Sequence, residues 1–346
     1  MNKGDDNMIA FIIFYLIVFI LSFKIKKDKF TIFDIILLIM LILFSGLRGV
    51  GIDYKLYEFI FNHPFQLESR TGIGYTYLMY IYKYVLHFNY QTLIFTISTV
   101  TVSSIYYFLK KNSERPGLAI LVYVSLGFYT TSFNMFRQSL SVAMVLLGSH
   151  FLNRNKKIKM FICYVGAFFI HSSSLIAIIG YILTKIVSSV KFKLKYMLPF
   201  SIVALLFYDK LFYFLINMSD NYSMYSSYDA NPGIGTYINV ILYLLFTIFL
   251  LIPKYRNAGT NNFQYYNLFL LGICIMVLEF KNYLFFRIAF YFTIISTIML
   301  PSFYIQHNLK NRKIESLLFY LCLFVYYLVY ISSFDGVLPY KVFFMD

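Results

Sequence analysis

Charge is scarce in this 346-residue sequence: only 13% of residues are Asp, Glu, Lys or Arg, where a soluble domain carries about a quarter. With 60% hydrophobic residues and a mean hydropathy of +0.69, the shortage excludes a water-exposed surface over most of the chain. No soluble stretch longer than about 25 residues remains between apolar runs long enough to span a bilayer. Tryptophan is absent while Phe (40) and Tyr (34) abound, which reads as coding bias and excludes no function. Cysteines are few: Cys163, Cys274 and Cys322 each lie in an apolar stretch without Cys-x-x-Cys spacing, which excludes a disulfide framework or zinc site and leaves small buried hydrophobes. Acidic residues number 15 against 30 basic ones. In a soluble protein that balance would suggest nucleic acid; here the positive-inside rule explains it, and no nucleic-acid partner is expected.

What is present is a series of apolar segments. An acidic-leaning start (Asp5, Asp6) and no small-residue cleavage site after Ile20 argue against a signal peptide, so 8–23 is expected as a first transmembrane helix. Further segments follow at 30–47, 91–109, 116–132, 136–152, 158–187, 195–215, 236–252, 264–280, 285–305 and 315–333. The expected fold is all-α: one transmembrane domain over 1–346, polytopic, with about 12 crossings. The Tyr-rich stretch 72–88 holds Lys83 and His87 and is expected to be re-entrant or interfacial. Segment 158–187 has Lys at both ends and the polar break His171-Ser172-Ser173-Ser174 at its middle, so it is expected to enter and return as a helical hairpin. Basic clusters at Lys24–Lys29, Lys110–Arg115, Arg154–Lys159, Lys185–Lys195, Lys254–Arg256 and Lys310–Lys313 are placed in the cytoplasm.

The remaining charges gather on the opposite, external side, where burying them costs about 2.5 kcal/mol or more each and needs a reason. Gly46-Leu47-Arg48-Gly49-Val50-Gly51-Ile52-Asp53-Tyr54 combines backbone freedom, a planar fork for phosphate or carboxylate, and a carboxylate that can pair with Arg48 or act as a base. A solvated helix end with a salt bridge explains it too. Asn134-Met135-Phe136-Arg137-Gln138 opens a helix from that side, where amides and an arginine favour an anion; headgroup snorkelling is the alternative. His171 can shuttle a proton or simply pack at a helix break. Arg287 lies in the first turn of a helix entering from outside, near Glu279 and Lys281, which also read as loop charges. The loop 217–235, with Asp220, Asp229 and several tyrosines, and Pro339-Tyr340-Lys341 are expected on the same face. No Gly-x-Ser-x-Gly elbow occurs.

The spacing Arg48-Gly49-Val50-Gly51-x-Asp53-Tyr54-x-x-Tyr57 resembles the signature of the EpsG family. Phe136-Arg137-Gln138, the His171-Ser172 element within 168–176, and Arg287 with Tyr291, Phe292 and Pro301 resemble its later markers, in the same order over roughly 30–341. Ile52 departs from the pattern, where a small polar residue is expected. The resemblance implies a Wzy-type polymerase of bacterial surface polysaccharide in the cytoplasmic membrane, its site facing outward. Oligosaccharide repeat units on undecaprenyl diphosphate would be joined with loss of polyprenyl diphosphate. Asp53 would be the base and His171 its reserve; Arg48, Arg137 and Arg287 would hold the diphosphate; Tyr54, Tyr57, Gln138, Ser172 and Tyr291 would bind sugar or support the site. No metal or cofactor is expected. The lipid-linked substrate and membrane lipid are the expected partners, with a chain-length regulator and a flippase of the same pathway beside them. A flippase would also use arginines for diphosphate but should line a path across the whole membrane, and a ligase is chemically adjacent. A membrane acyltransferase using His171 is a further alternative.

Overall fold

The computed structural model describes residues 5–65, 72–192, 194–210, 213, 233–251, 263–333 and 337–344. Among them the chain is helical, with no β-structure beyond one isolated antiparallel bridge between Arg48 and Val342. Helices α1 (Asp5–Ser22) and α2 (Ile32–Gly46) come first. The start of α2 is set by Asp34, whose Oδ2 accepts the Thr31 backbone N–H at 2.8 Å, satisfying one of the amides a helix start leaves open. After α3 (Tyr54–Asn62), α4 (Ile73–Tyr80) runs on as a π-helix over Ile81–Val85. At roughly 1.5 Å per residue this piece reaches about 20 Å, short of a hydrocarbon core of about 30 Å. Next is α5 (Tyr90–Asn112), capped by Asn89, whose Oδ1 accepts the Thr92 N–H at 2.9 Å.

The expected span 116–132 is two helices, α6 (Pro116–Ser125) and α7 (Phe128–Asn134), bent by 48°. Gly127, with φ +77, makes the break in a left-handed conformation that side-chain-bearing residues avoid. Helices α8 (Phe136–Asn153) and α9 (Lys157–Ile170) follow. The helix is interrupted at His171–Ser173, as the polar run suggests, before α10 (Ser174–Ile186). Then come α11 (Leu194–Leu206), α12 (Ile234–Leu251) and α13 (Gln264–Met276), the last tightening into a 3-10 turn over Val277–Phe280. The expected span 285–305 is again broken, into α14 (Phe285–Thr293) and α15 (Ser296–Gln306), bent by 44°. Helix α16 (Lys313–Ser333) closes the series.

These elements pack as two compact units: 1–172 with 300–346, and 173–299. In the first, α8 packs along α5 and α9, α2 along α5, and α6 against α1 and α16. The pair α2/α5 is tied at one end by Lys110, whose Nζ lies 2.5 Å from Asp34 Oδ1, while the Tyr106 hydroxyl donates to the same oxygen at 2.8 Å. Lys110 is therefore buried inside the helix pair rather than a solvated member of its basic cluster. In the second unit, α13 is central and packs against α10, α11, α12 and α14.

The outside of the first unit is apolar. On α16, Leu317, Leu318, Leu321, Val325 and Val329 are exposed while Leu323, Tyr327, Tyr330 and Ile331 are buried; on α9, Ile158, Phe161, Ile162 and Phe168 are exposed. Continuous exposed apolar faces of this extent fit lipid as the surrounding solvent. Among the described residues α5 and α16 are each long and apolar enough to cross a membrane, and up to four spans result if each bent pair counts as one. Hydropathy alone suggests about 12 crossings. The gap arises because other apolar helices measure 10–17 residues, shortened by breaks such as that at His171, and because parts of the expected segments at 195–215 and 236–252, like most of loop 217–235, lie outside the described residues.

Candidate functional site

The Arg48–Tyr57 element is held in place on every side within the first unit. Gly49 N–H donates to Lys341 O at 2.8 Å and Phe343 N–H to Leu47 O at 3.0 Å, so the segment 337–344 pairs with the loop, on the same face as Arg48. Tyr340 stacks on Phe44 with ring centroids 4.3 Å apart, and its hydroxyl donates to Phe44 O at 2.8 Å. Gln91, at the head of α5, donates to Gly46 O at 2.7 Å and to Arg48 O at 3.3 Å, and accepts from the Tyr54 hydroxyl at 2.9 Å. Asn134, at the end of α7, accepts the Ile52 N–H through Oδ1 at 2.9 Å. Gly51 has φ +143, and a Cβ there would lie 2.9 Å from Phe133 O, so only glycine fits. Ile52 points outward, 70% exposed; its departure from the family pattern leaves these bonds untouched.

Arg48 itself turns inward and is 1% exposed. Its Nη1 donates to the Ser45 carbonyl and, at 3.0 Å, to Ser98 Oγ; its Nη2 donates to Phe133 O at 3.3 Å, and the guanidinium lies 4.9 Å from the centre of the Phe133 ring. Burial pulls its pKa down to about 10, still above neutral, so the group stays cationic. Arg48 does not pair with Asp53: its terminal nitrogens tie α2 to α5 and α7, while Asp53 sits half-buried at the N-terminal end of α3, its carbonyl accepting the Tyr57 N–H at 2.9 Å. Both terminal nitrogens are engaged within the protein, so the side chain acts here as a clasp rather than an open phosphate fork.

Arg137 differs. It is half-buried in the first turn of α8, with its guanidinium 5.9 Å from the centre of the Tyr75 ring. Tyr57 contacts the rings of Tyr75 (5.9 Å) and Phe136 (4.7 Å) edge to face, a geometry that aromatic quadrupoles favour. The same cluster gathers Ile60, Phe61, Met79, Tyr90, Leu93 and Leu140, with Tyr54 and Ile170 against its edge. Helix α4 reaches it because Gly74 lies against the carbonyl of Phe169, where a Cβ would collide.

The register of α8 and α9 brings His171 to the same level. Gly148 faces Tyr164, and Ser141 Oγ donates to Ala167 O at 2.9 Å, so the helices run antiparallel. One turn further along each, Arg137 stands level with His171, whose own N–H still bonds to Ala167 O. His171 is half-buried and Ser172 exposed; Gln138 is buried on α8. Thus Asp53, Tyr54, Tyr57, Arg137, Gln138 and His171 all belong to elements around one aromatic cluster. Arg287 and Tyr291 belong to α14 of the second unit: Arg287 is half-buried, and Tyr291 is 1% exposed, its carbonyl accepting the Tyr181 hydroxyl at 2.9 Å. Glu279 is no loop charge but is buried in the 3-10 turn, 1% exposed.

Gln91, Ser98 and Tyr75 escape sequence reasoning. Gln91 and Tyr75 stand near the heads of their helices and Ser98 more than two turns into α5, positions that many polar and aromatic residues of this chain share.

No curated protein and no solved structure shows significant similarity to the chain. The family model for the EpsG family matches residues 31–342, the stretch that holds every marker described above. On that coverage the chain belongs to the EpsG family, whose members are Wzy-type polymerase-like.

Proposed function

We propose that the chain is a polymerase of bacterial surface polysaccharide, seated in the cytoplasmic membrane with its site on the external face. In this reading it joins oligosaccharide repeat units carried on undecaprenyl diphosphate. A hydroxyl at the non-reducing end of one unit attacks the anomeric carbon of the other chain. The bond from that carbon to the diphosphate oxygen breaks, polyprenyl diphosphate leaves with the bonding pair, and the hydroxyl proton passes to a protein base. Asp53 is assigned as that base, with His171 second. Diphosphate leaves readily once its charge is met, so the protein's task is electrostatic. Arg137 meets that charge within the first unit, while Arg48 holds the Gly49–Asp53 loop that carries the base. The exposed apolar helix faces accommodate the polyprenyl tail.

The observation that carries this reading is the EpsG family match over residues 31–342. The placement of Asp53, Arg137 and His171 around one cluster supports the residue roles. The test is to delete the gene in its native host, separate the surface polysaccharide by size, and restore the gene as wild type, Asp53→Asn or Arg137→Ala. A collapse to single repeats that only the wild type reverses, with the variants still present in the membrane, is the expected result. Lipid-linked repeats trapped on the cytoplasmic leaflet would instead identify a transporter and overturn the reading.

A further inference from the structure

Two carboxylates are buried among the described residues, Asp34 and Glu279. Asp34 is fully occupied by Lys110, Tyr106 and Thr31. Glu279 is not: its Oε1 has no hydrogen-bond partner, and no lysine or arginine forms an ion pair with it among the described residues. Enclosing a carboxyl without a partner is costly in either form, and far more so when ionised. An apolar residue at this position would avoid that cost, so the carboxyl has a role other than packing.

Its surroundings indicate what that is. The Val277–Phe280 turn packs against α11, α12, α13 and α14. Asn282 is buried beside it; its Oδ1 accepts the Leu284 N–H at 2.9 Å, and its side chain bonds to the Tyr208 hydroxyl. Tyr243 is buried on α12, which packs against the same turn. Phe280, the next residue, stacks on Tyr237 with ring centroids 5.5 Å apart at 19°, and Tyr237 is 40% exposed. A carboxyl, an amide and phenols beside a stacked aromatic pair suit a ligand with many hydroxyls and an apolar face. They do not suit a phosphate, which the carboxyl would repel. The 3-10 turn has poorer hydrogen-bond geometry than the helix it ends, so it can shift to admit a ligand.

We propose that Glu279 is a sugar-contacting residue of the second unit, its free oxygen kept for a hydroxyl of the lipid-linked repeat unit. The identity of the sugar's carrier rests on the polymerase reading; the contact itself does not. Infrared difference spectra of the full chain in lipid nanodiscs test it. A carboxyl band present in wild type and absent in Glu279→Gln should shift when the host's repeat unit on undecaprenyl diphosphate is added. It should not shift with undecaprenyl diphosphate alone. Polymer made by Glu279→Gln should fall by about tenfold or more, the loss expected of one hydrogen bond to a charged or acidic group, while Glu279→Leu should be no less heat-stable than wild type. No shift with either lipid, an equal shift with both, or full polymer from Glu279→Leu would each overturn the proposal. If deletion of the gene traps lipid-linked repeats on the cytoplasmic leaflet while the Glu279 band still shifts, the polymerase reading fails and the sugar contact stands.

Discussion

Asp34 and Glu279 are both enclosed by helices, yet they stand in opposite relations to their surroundings. Asp34 receives an ammonium and a phenol from one turn of α5 and a backbone amide from its own helix start, and so fixes where α2 lies along α5. Glu279 receives nothing within the described residues at its Oε1. A buried ion pair adds little over a well-packed apolar pair, but removing one partner is severe because the other is left uncompensated. The contrast separates a carboxylate that is part of the architecture from one that architecture would be better without. The two arginines differ in burial: Arg48 is enclosed and bonded to Ser45, Ser98 and Phe133, whereas Arg137 stands half-buried at the head of its helix.

The contrast is open to direct attack. Lys110→Ala should be the most damaging change, costing about 3–5 kcal/mol by stranding Asp34; thermal unfolding in detergent reads it, and Asp34→Leu with Lys110→Met should restore most of the loss. Arg48→Ala should come next, at about 1.5–3 kcal/mol for hydrogen bonds from a charged donor. It should lower the amount of folded protein in the membrane as well as polymer, whereas Arg137→Ala should lower polymer with the protein level unchanged. Gly51→Ala should cost about 1–3 kcal/mol for a strained backbone, visible as a lower unfolding temperature. Glu279→Leu should be the mildest for folding, within about 1 kcal/mol of wild type and on the stabilising side. If it unfolds as readily as Lys110→Ala, the distinction between the two carboxylates is gone.

Much of this was readable in the sequence. The helices follow the apolar runs, the break at His171 follows the Ser-rich interruption, and the family markers are continuous in the chain. What was hidden depends on residues far apart meeting. Nothing local in Lys110 tells that it turns inward to Asp34 rather than outward to headgroups, and nothing in Arg48 tells that Ser98 and Phe133 occupy its nitrogens. Glu279 looked like a loop charge because Lys281 and Asn282 follow it, but the 3-10 turn draws it inside. The splits within 116–132 and 285–305 were missed because hydropathy averages over a glycine in a left-handed conformation and over short bends.

The bridge between Arg48 and Val342 bears on how the protein comes into being. Leu47, Gly49 and the loop they begin leave the ribosome early, yet the bridging segment that pairs with them, Lys341 to Phe343, is made after every helix among the described residues. The loop bearing the assigned base is therefore first held by Gln91 and Asn134, and gains its last hydrogen bonds only when residues 341–343 have been made.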